Sequence, residues 1–508
     1  MSEASTLIQL LSTGRDDAVA ISAPSTPDLL YRYLRGQTLA TVEALQSVGL
    51  TPSDRVAIVL PNGPEMAVAF MAVASAVISA PLNPGDRAEE FEFYLTDLRA
   101  KALIVEVGST SPAIDAATKL GVPILTLHPT PEVGAGCFTL DTSRLSLADG
   151  APPGAATPDD IALVLHTSGT TSRPKIVPLS QRNICASARN IRDSLALTPA
   201  DRGLNIMPLF HIHGLIAAVS APLLAGGSVF CTPGFNALRF FCWMEEARPT
   251  WYTAVPTMHQ AILGRARNNA AIIAANPLRF IRSSSSSLPP QVLAELEATF
   301  TTTVVEAYGM TEAAHQMACN PLEAGARKPG TVGLPAGPDV AIMDDHGALL
   351  DTGGVGEIVI RGDNVTSGYE NNPKANAEAF THGWFRTGDQ GVKDNDGFIT
   401  ITGRLKEIIS RGGEKISPRE VDEILMDHPA VQQVVTFGIP HDRWGEEVGA
   451  VVVLREGVSA TERELRDYVG TRAADFKVPR KILFMDEIPK GATGKLQRIG
   501  LAQKLGLG

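Results

Sequence analysis

Cysteine is scarce. Cys137, Cys185, Cys231, Cys242 and Cys319 are spread over 508 positions, odd in number and without a C-x-x-C pair, so neither a disulfide framework nor a zinc site is indicated and a reducing, cytoplasmic compartment fits best. Positive charge is also short. With 44 Lys+Arg against 55 Asp+Glu, a net −11, the overall field argues against nucleic acid or an anionic membrane as partner. No basic segment followed by an apolar one opens the chain, and Lys504–Gly508 is not a Ser-Lys-Leu type address. Long apolar runs are missing too. The best candidate, Met66 to Ala80, follows Glu65, is interrupted by Ser75 and Ser79 and meets Pro81; it predicts a buried core helix with Gly63 at the N-cap and Pro64 first in the helix, and no membrane span.

What the chain has is length enough for two to four domains or subdomains. From 50 to 165, short β-prone runs (Val56–Leu60, Ala102–Val105, Pro123–Leu127, Ile161–Leu165) alternate with helical stretches. The alternation predicts parallel βαβ units with helices on both faces of a sheet, an α/β fold whose ligands gather at the carboxyl ends of the strands. Residues 130–158, rich in Pro, Gly, Ala and Thr, read as an irregular connection between two lobes.

At the end of the Ile161 run comes His166-Thr-Ser-Gly-Thr-Thr-Ser-Arg-Pro-Lys175. A strand ending in small hydroxyl residues, a glycine and a cation leaves backbone N–H groups and short donors to wrap an anion, usually phosphate. No Gly-Lys-Ser/Thr closes it, so it is not a Walker loop. Further on lie Phe210-His-Ile-His213, the extended run Trp251–His259 stopped by Pro256, and five serines, Ser283–Ser287, between an apolar strand and a helix Pro290–Phe300. A histidine beside apolar residues is more often a packing residue than a catalyst. Ser417 with Glu420 forms a capping-box pattern with Pro418 first in the helix, and Val421, Ile424 and Leu425 supply its apolar face.

The loop 166–175, Tyr308-Gly-Met-Thr-Glu312, Trp384-Phe-Arg-Thr-Gly-Asp389, Gly403-Arg-Leu-Lys406 and Pro489-Lys-Gly-Ala-Thr-Gly-Lys495 together resemble the core motifs of the adenylate-forming superfamily, which joins acyl-CoA synthetases, luciferases and peptide-synthetase adenylation domains. Ser172 and Ile176 stand where that family usually has glycine, which stiffens the loop. The resemblance implies a large N-terminal AMP-binding domain, 1–403, of βαβ-type sheets with a small β-rich subdomain, and a mobile α+β lid, 404–508, hinged near Lys406. It implies ATP, Mg²⁺ and coenzyme A as cofactors and a small carboxylate as substrate. Thr167, Ser168, Gly169, Thr170, Thr171 and Lys175 would meet the phosphates, and Ser284, Ser285, Glu306, Ala307, Tyr308, Gly309 and Thr311 the adenine side and phosphate. Asp389 would take the ribose, Arg404 the ribose or a phosphate, Glu312 the Mg²⁺, and Gly412, Gly413 and Lys415 the coenzyme A arm. Lys495 would carry an ammonium to the carboxylate and α-phosphate. Thr167, His211, Glu312 and Lys495 form the implied catalytic set.

An adenylation domain for amino acids would have Asp where His211 stands. The candidate pocket lining carries His211, His213, Ser283 and His315, with Arg282 near, and extra donors suit a second carboxylate. Several segments, among them Phe210-His-Ile-His-Gly214 and Arg411-Gly-Gly-Glu-Lys-Ile-Ser-Pro418, are similar to the oxalate-CoA ligase group within the superfamily. That likeness implies oxalate, with Ser283 and His315 on its distal carboxylate; Arg282 could equally belong to a structural ion pair. Malonate or short-chain acids, 4-coumarate-like acids and carrier-protein loading are the alternatives. The residues leave the oligomeric state open.

Overall fold

The computed structural model describes residues 3–145, 155–167, 174–323, 325–490 and 496–507. It consists of a large N-terminal domain of mixed sheets and helices and a smaller C-terminal domain. In the first sheet the strands run Phe138–Asp141, Ile124–Pro129, Ala102–Glu106, Arg55–Val59, Ile78–Pro81, Ile161–Thr167 and Lys175–Ser180 in space. The inner pairings are parallel and both edge pairings antiparallel. The expected strands are therefore present, and the central strands of the sheet, Arg55–Val59, Ile78–Pro81 and Ala102–Glu106, bury their apolar residues on both faces, as a parallel sheet requires.

Two expectations in this region change. The buried helix spans Pro64–Ala74, with Gly63 at its N-cap, and does not reach Ala80. Ile78–Pro81 instead forms a strand beside Arg55–Val59. Both segments are buried all round, so apolar periodicity cannot separate them, and the β-branched Val77 and Ile78 are the local sign of the change. Residues 130–158 include the antiparallel edge strand Phe138–Asp141, and 146–154 lie outside the described residues.

The second sheet is nine-stranded and bears many of the residues expected at the site. Its middle, in spatial order, is Ser228–Cys231, Arg202–Asn205, Trp251–Ala254, Phe280–Ser284 and Thr303–Met310, all parallel, followed by the antiparallel His315–Cys319. Trp251–Ala254 is a strand as expected, but Pro256 opens the helix Pro256–Ala266, so Thr257–His259 are helical, with proline at the first helical position where its missing N–H costs nothing. Side chains alternate across this sheet. Tyr252, Ala254, Ile281 and Val304 face one apolar cluster, while Trp251, Phe280, Val305 and Ala307 face the other.

A small antiparallel sheet, Asp339–Met343, Val355–Arg361, Phe380–Thr381, Trp384–Lys393 and Ile399–Arg404, follows. After the short turn Leu405–Glu407 the chain enters a separate sheet built on the long hairpin Val431–His441 and Gly445–Leu454. Helix Pro418–Met426 begins where expected and buries Val421 and Leu425. The capping box does not form: the Ser417 hydroxyl donates to the Thr402 carbonyl, and Arg419 donates to the Ile401 carbonyl at 2.6 Å. These residues tie the C-terminal domain to the last strand of the small sheet instead of capping their own helix.

Candidate active site

The loop expected to meet the phosphates is flanked by two paired strands. Thr167 closes one strand and lies across from Lys175, which opens its antiparallel partner. Before it, His166 packs against Tyr94, ring centroids 4.7 Å apart, and its Nε2 lies 3.0 Å from an Asp97 carboxylate oxygen. Burial lowers the His166 pKa and Asp97 opposes the shift. Ser168, Gly169, Thr170 and Thr171 lie outside the described residues, as does Lys495.

Lys175 extends its ammonium over the ring of Tyr369, 4.2 Å from the centroid, and the Tyr369 hydroxyl donates to Glu312 at 2.8 Å. Glu312 sits in the short turn Thr311–Ala313 and is buried. Burial raises its pKa, opposed first by the Tyr369 hydrogen bond and more weakly by Lys175 and Arg404. No group of three or more His, Cys, Asp or Glu able to hold a metal occurs among the described residues. A single carboxylate with one oxygen engaged by Tyr369 nevertheless fits Mg²⁺, which takes one or two carboxylates and completes its shell with substrate phosphates and water.

On the small sheet, Asp389 receives a 2.5 Å hydrogen bond from the Tyr308 hydroxyl and a 3.0 Å ion pair from Arg404. The Tyr308 pKa is driven well above its usual value, first by burial and then by Asp389; the Asp389 charge likewise raises that of Arg404. Strands of two different sheets thus bring together the residues expected at adenine and ribose. Ala307 accepts from the Ser284 hydroxyl at 2.8 Å, which pins the serine turn to the Tyr308 strand. Glu306 accepts from the Leu288 N–H at 2.9 Å through one oxygen, and its other oxygen has no partner; burial pushes its pKa up to about 7. Gly309 lies opposite Gln316 on the same strand pair.

The acid-pocket residues divide between the two faces of the second sheet. Ser283, in register with Ala254 and Glu306, faces the cluster of Ile281 and Val304, and its hydroxyl has no hydrogen-bond partner among the described residues. Arg282 points the other way and is fully buried. There His213 and His315 stack with centroids 4.8 Å apart, His213 Nδ1 lies 3.0 Å from Ser285 Oγ, and His213 Nε2 lies 2.7 Å from Thr253 Oγ1. Arg282 Nη2 reaches His315 Nε2 and Gln316 Oε1, each at 3.1 Å. Ser283 and His315, expected together at the distal carboxylate, thus lie on opposite faces of the sheet, and Ser285 contacts His213. The possible ion-pair role of Arg282 also finds no support, since no carboxylate pairs with it among the described residues. His211 accepts from the His213 N–H at 3.3 Å and sits at the edge of this cluster.

The backbone here is strained. Ser285, Ala314 and His315 have φ of 75°, 45° and 99°, left-handed values that cost a residue with a Cβ about 1–3 kcal/mol and persist where neighbours over-determine them. His213 also begins a π-helix, His213–Ser220, a form concentrated at functional sites.

In the C-terminal domain, Gly412 and Gly413 have φ of 60° and 97°, and a Cβ on Gly412 would come within 2.8 Å of the Trp444 ring. Lys415 donates to Ser410 Oγ at 3.0 Å, and Lys406 lies in the turn Leu405–Glu407. Arg498, three positions after Lys495, pairs with Glu407 at 2.6 Å and with Asp422, and donates to the Thr436 carbonyl at 2.7 Å. Tyr369, Thr253, Asp97 and Arg498 are the residues missed from sequence. Their partners lie 57, 40, 69 and 76 positions away, and only contact across the fold reveals them.

Among the described residues no helix is long and apolar enough to cross a membrane. Residues 12–370 match the AMP-binding enzyme family and residues 420–495 the AMP-binding enzyme C-terminal domain. The oxalate–CoA ligase of Arabidopsis thaliana is 45% identical over 468 residues, covering 91% of each chain. That of Saccharomyces cerevisiae is 42% identical over 521 residues, covering 96% of this chain and 94% of its own. ATP-bound MatB from Rhodopseudomonas palustris superimposes with a TM-score of 0.87 at 30% identity over 98% of both chains. With the matched family spanning most of the chain, the chain belongs to the AMP-binding enzymes.

Proposed function

We propose that the chain is an AMP-forming acid–CoA ligase that converts oxalate, ATP and coenzyme A to oxalyl-CoA, AMP and diphosphate. A carboxylate oxygen attacks the α-phosphorus and diphosphate leaves, giving an acyl-adenylate; the thiol then attacks the acyl carbon and AMP leaves. Thr167 and Lys175 border the loop assigned to the β- and γ-phosphates, Tyr308 takes adenine, and Asp389 with Arg404 takes the ribose. Lys495 offsets charge that builds on the α-phosphate. Glu312, held by Tyr369, would bind Mg²⁺, which when present neutralises the triphosphate. The C-terminal domain turns at Lys406 between the two steps and brings Gly412, Gly413 and Lys415 to the thiol arm.

The observation that carries oxalate is the cluster of His213, Ser285 and His315 backed by the buried Arg282, a cation with no carboxylate partner among the described residues. An acid with an apolar tail would have no use for it, whereas a second carboxylate on the substrate supplies the missing charge. Two relatives named as oxalate–CoA ligases support the same reading. The test is coenzyme A- and acid-dependent AMP formation with Mg-ATP, comparing oxalate, malonate, acetate, 4-coumarate and octanoate at equal concentration. A strong preference for oxalate is expected. If 4-coumarate or octanoate is preferred, the histidine cluster is packing and the substrate assignment fails.

A further inference from the structure

We propose that Arg282 is the positioning residue of the histidine cluster: it sets which nitrogen of His213 and of His315 carries the proton, so that the donor of each ring faces away from the guanidinium. Oxalate as the ligand of this cluster rests on the reading above; the proton arrangement does not.

The argument begins with what a guanidinium can do. It has five N–H donors and no acceptor, and it keeps its charge at neutral pH; burial brings the Arg282 pKa down only to about 10. Its neighbour Cys319 is also buried, with a thiol pKa pushed up to about 11, so the thiol stays neutral and gives no counter-charge. Any nitrogen that Arg282 touches must therefore accept. Nη2 lies 3.1 Å from His315 Nε2, which leaves the ring's single proton on Nδ1. Gln316 holds Arg282 in place: its amide donates to the Asn190 carbonyl and to Ser194 Oγ, so its oxygen faces the same Nη2 at 3.1 Å.

The second branch runs through Thr253. Arg282 Nη1 donates to Thr253 Oγ1 at 3.3 Å, so the threonine hydrogen is turned towards His213 Nε2, 2.7 Å away. Nη1 itself lies 3.4 Å from the same Nε2. His213 must accept there and carry its proton on Nδ1, which donates to Ser285 Oγ at 3.0 Å. The Ser285 hydrogen is then turned onward. Along both branches every proton points away from Arg282, and the branches end at Ser285 and His315, two of the residues held in left-handed backbone. The charge stays behind the rings while its direction is delivered through them. Were either proton on Nε2, a ring N–H would face Arg282's own donor and the ring's lone pair would lie on Nδ1 instead.

The test needs no substrate. In ¹⁵N spectra of the full-length enzyme labelled at histidine, at neutral pH, His213 and His315 are assigned by the signals lost in His213→Gln and His315→Gln. Both rings are expected to be neutral with the proton on Nδ1. Nε2–H or a doubly protonated ring at His315 in the unaltered enzyme overturns the proposal, whether or not any variant folds. Arg282→Met is expected to move His315 towards Nε2–H and to raise the oxalate KM at least ~10-fold, the loss of about one charged hydrogen bond, with the ATP KM within about twofold. Arg282→Lys, which keeps a cation, should recover part of the KM. A folded Arg282→Met with unchanged tautomers also overturns it. The expected tautomers in an enzyme that leaves oxalate untouched would sustain the relay and refute oxalate as its ligand.

Discussion

Replacing Tyr369 by phenylalanine removes one oxygen atom and leaves the ring on which Lys175 rests. The lost contact is the 2.8 Å hydrogen bond to Glu312, a carboxylate only 6% exposed. A hydrogen bond to a charged group contributes about 1.5–3 kcal/mol, or roughly 10- to 150-fold in an equilibrium. The direction of the effect follows from the forces on Glu312. Burial raises its pKa and the Tyr369 bond is the largest force against that rise, so Tyr369→Phe moves it further up and favours the neutral acid, which cannot hold a divalent cation. Diphosphate release at pH 7 and limiting Mg²⁺ should fall about ten- to hundredfold. The acid limb of the pH profile should move to higher pH, with activity recovering in alkali or at high Mg²⁺, and with the oxalate KM little changed. Mg²⁺-ATP affinity measured by calorimetry should fall in parallel. An unaltered acid limb, or a loss that neither pH nor Mg²⁺ relieves, would refute the coupling between Tyr369 and Glu312.

Glu306 makes stability depend on pH. Its pKa rises from 4.5 to about 7 in the fold, so between those values the folded chain holds a proton that the unfolded chain has released, and stability falls by about 3 kcal/mol as pH rises across the window. Glu306→Gln lacks this titration, so its stability relative to wild type in urea melts should grow from pH 4.5 to 7 and then level off; a gap independent of pH would exclude it. Arg498→Met leaves Asp422, whose pKa burial already pushes up to about 6, without its cation. A loss of about 3 kcal/mol is expected, read as faster proteolysis of the C-terminal domain, and wild-type resistance would count against the clamp. Lys495→Ala should abolish adenylation while thioester formation from preformed acyl-adenylate is largely kept; equal loss of both steps would remove its assigned role.

Legibility followed the reach of the interaction. The strand and helix that frame the serine turn, Phe280–Ser284 and Pro290–Phe300, can be read from local pattern because each is fixed by its own apolar period and a proline start. The residues expected at the nucleotide could be named because each sits within a short motif. Ser283 could not be told from Ser285, since five identical side chains carry no sign of which faces the histidines, and the left-handed turn at Ser285 breaks the alternation that counting assumes. The cap expected at Ser417 failed for a related reason: its hydroxyl found a carbonyl on another strand, and nothing within its own helix reports that competitor. Burial on both faces hid the change from helix to strand after Ala74.

The left-handed backbone at Ser285, Ala314 and His315 has a consequence for anyone engineering this enzyme. Glycine is the residue that such angles favour, so a library screened for heat resistance would be drawn to Ala314→Gly and its neighbours, each offering about 1 kcal/mol of relief. The same changes would free the peptide that aims His315. If the cluster reads the second carboxylate as proposed, a melting curve would record improvement while discrimination between acids fell, so selection at these positions has to be made on that discrimination, with heat resistance sought elsewhere in the chain.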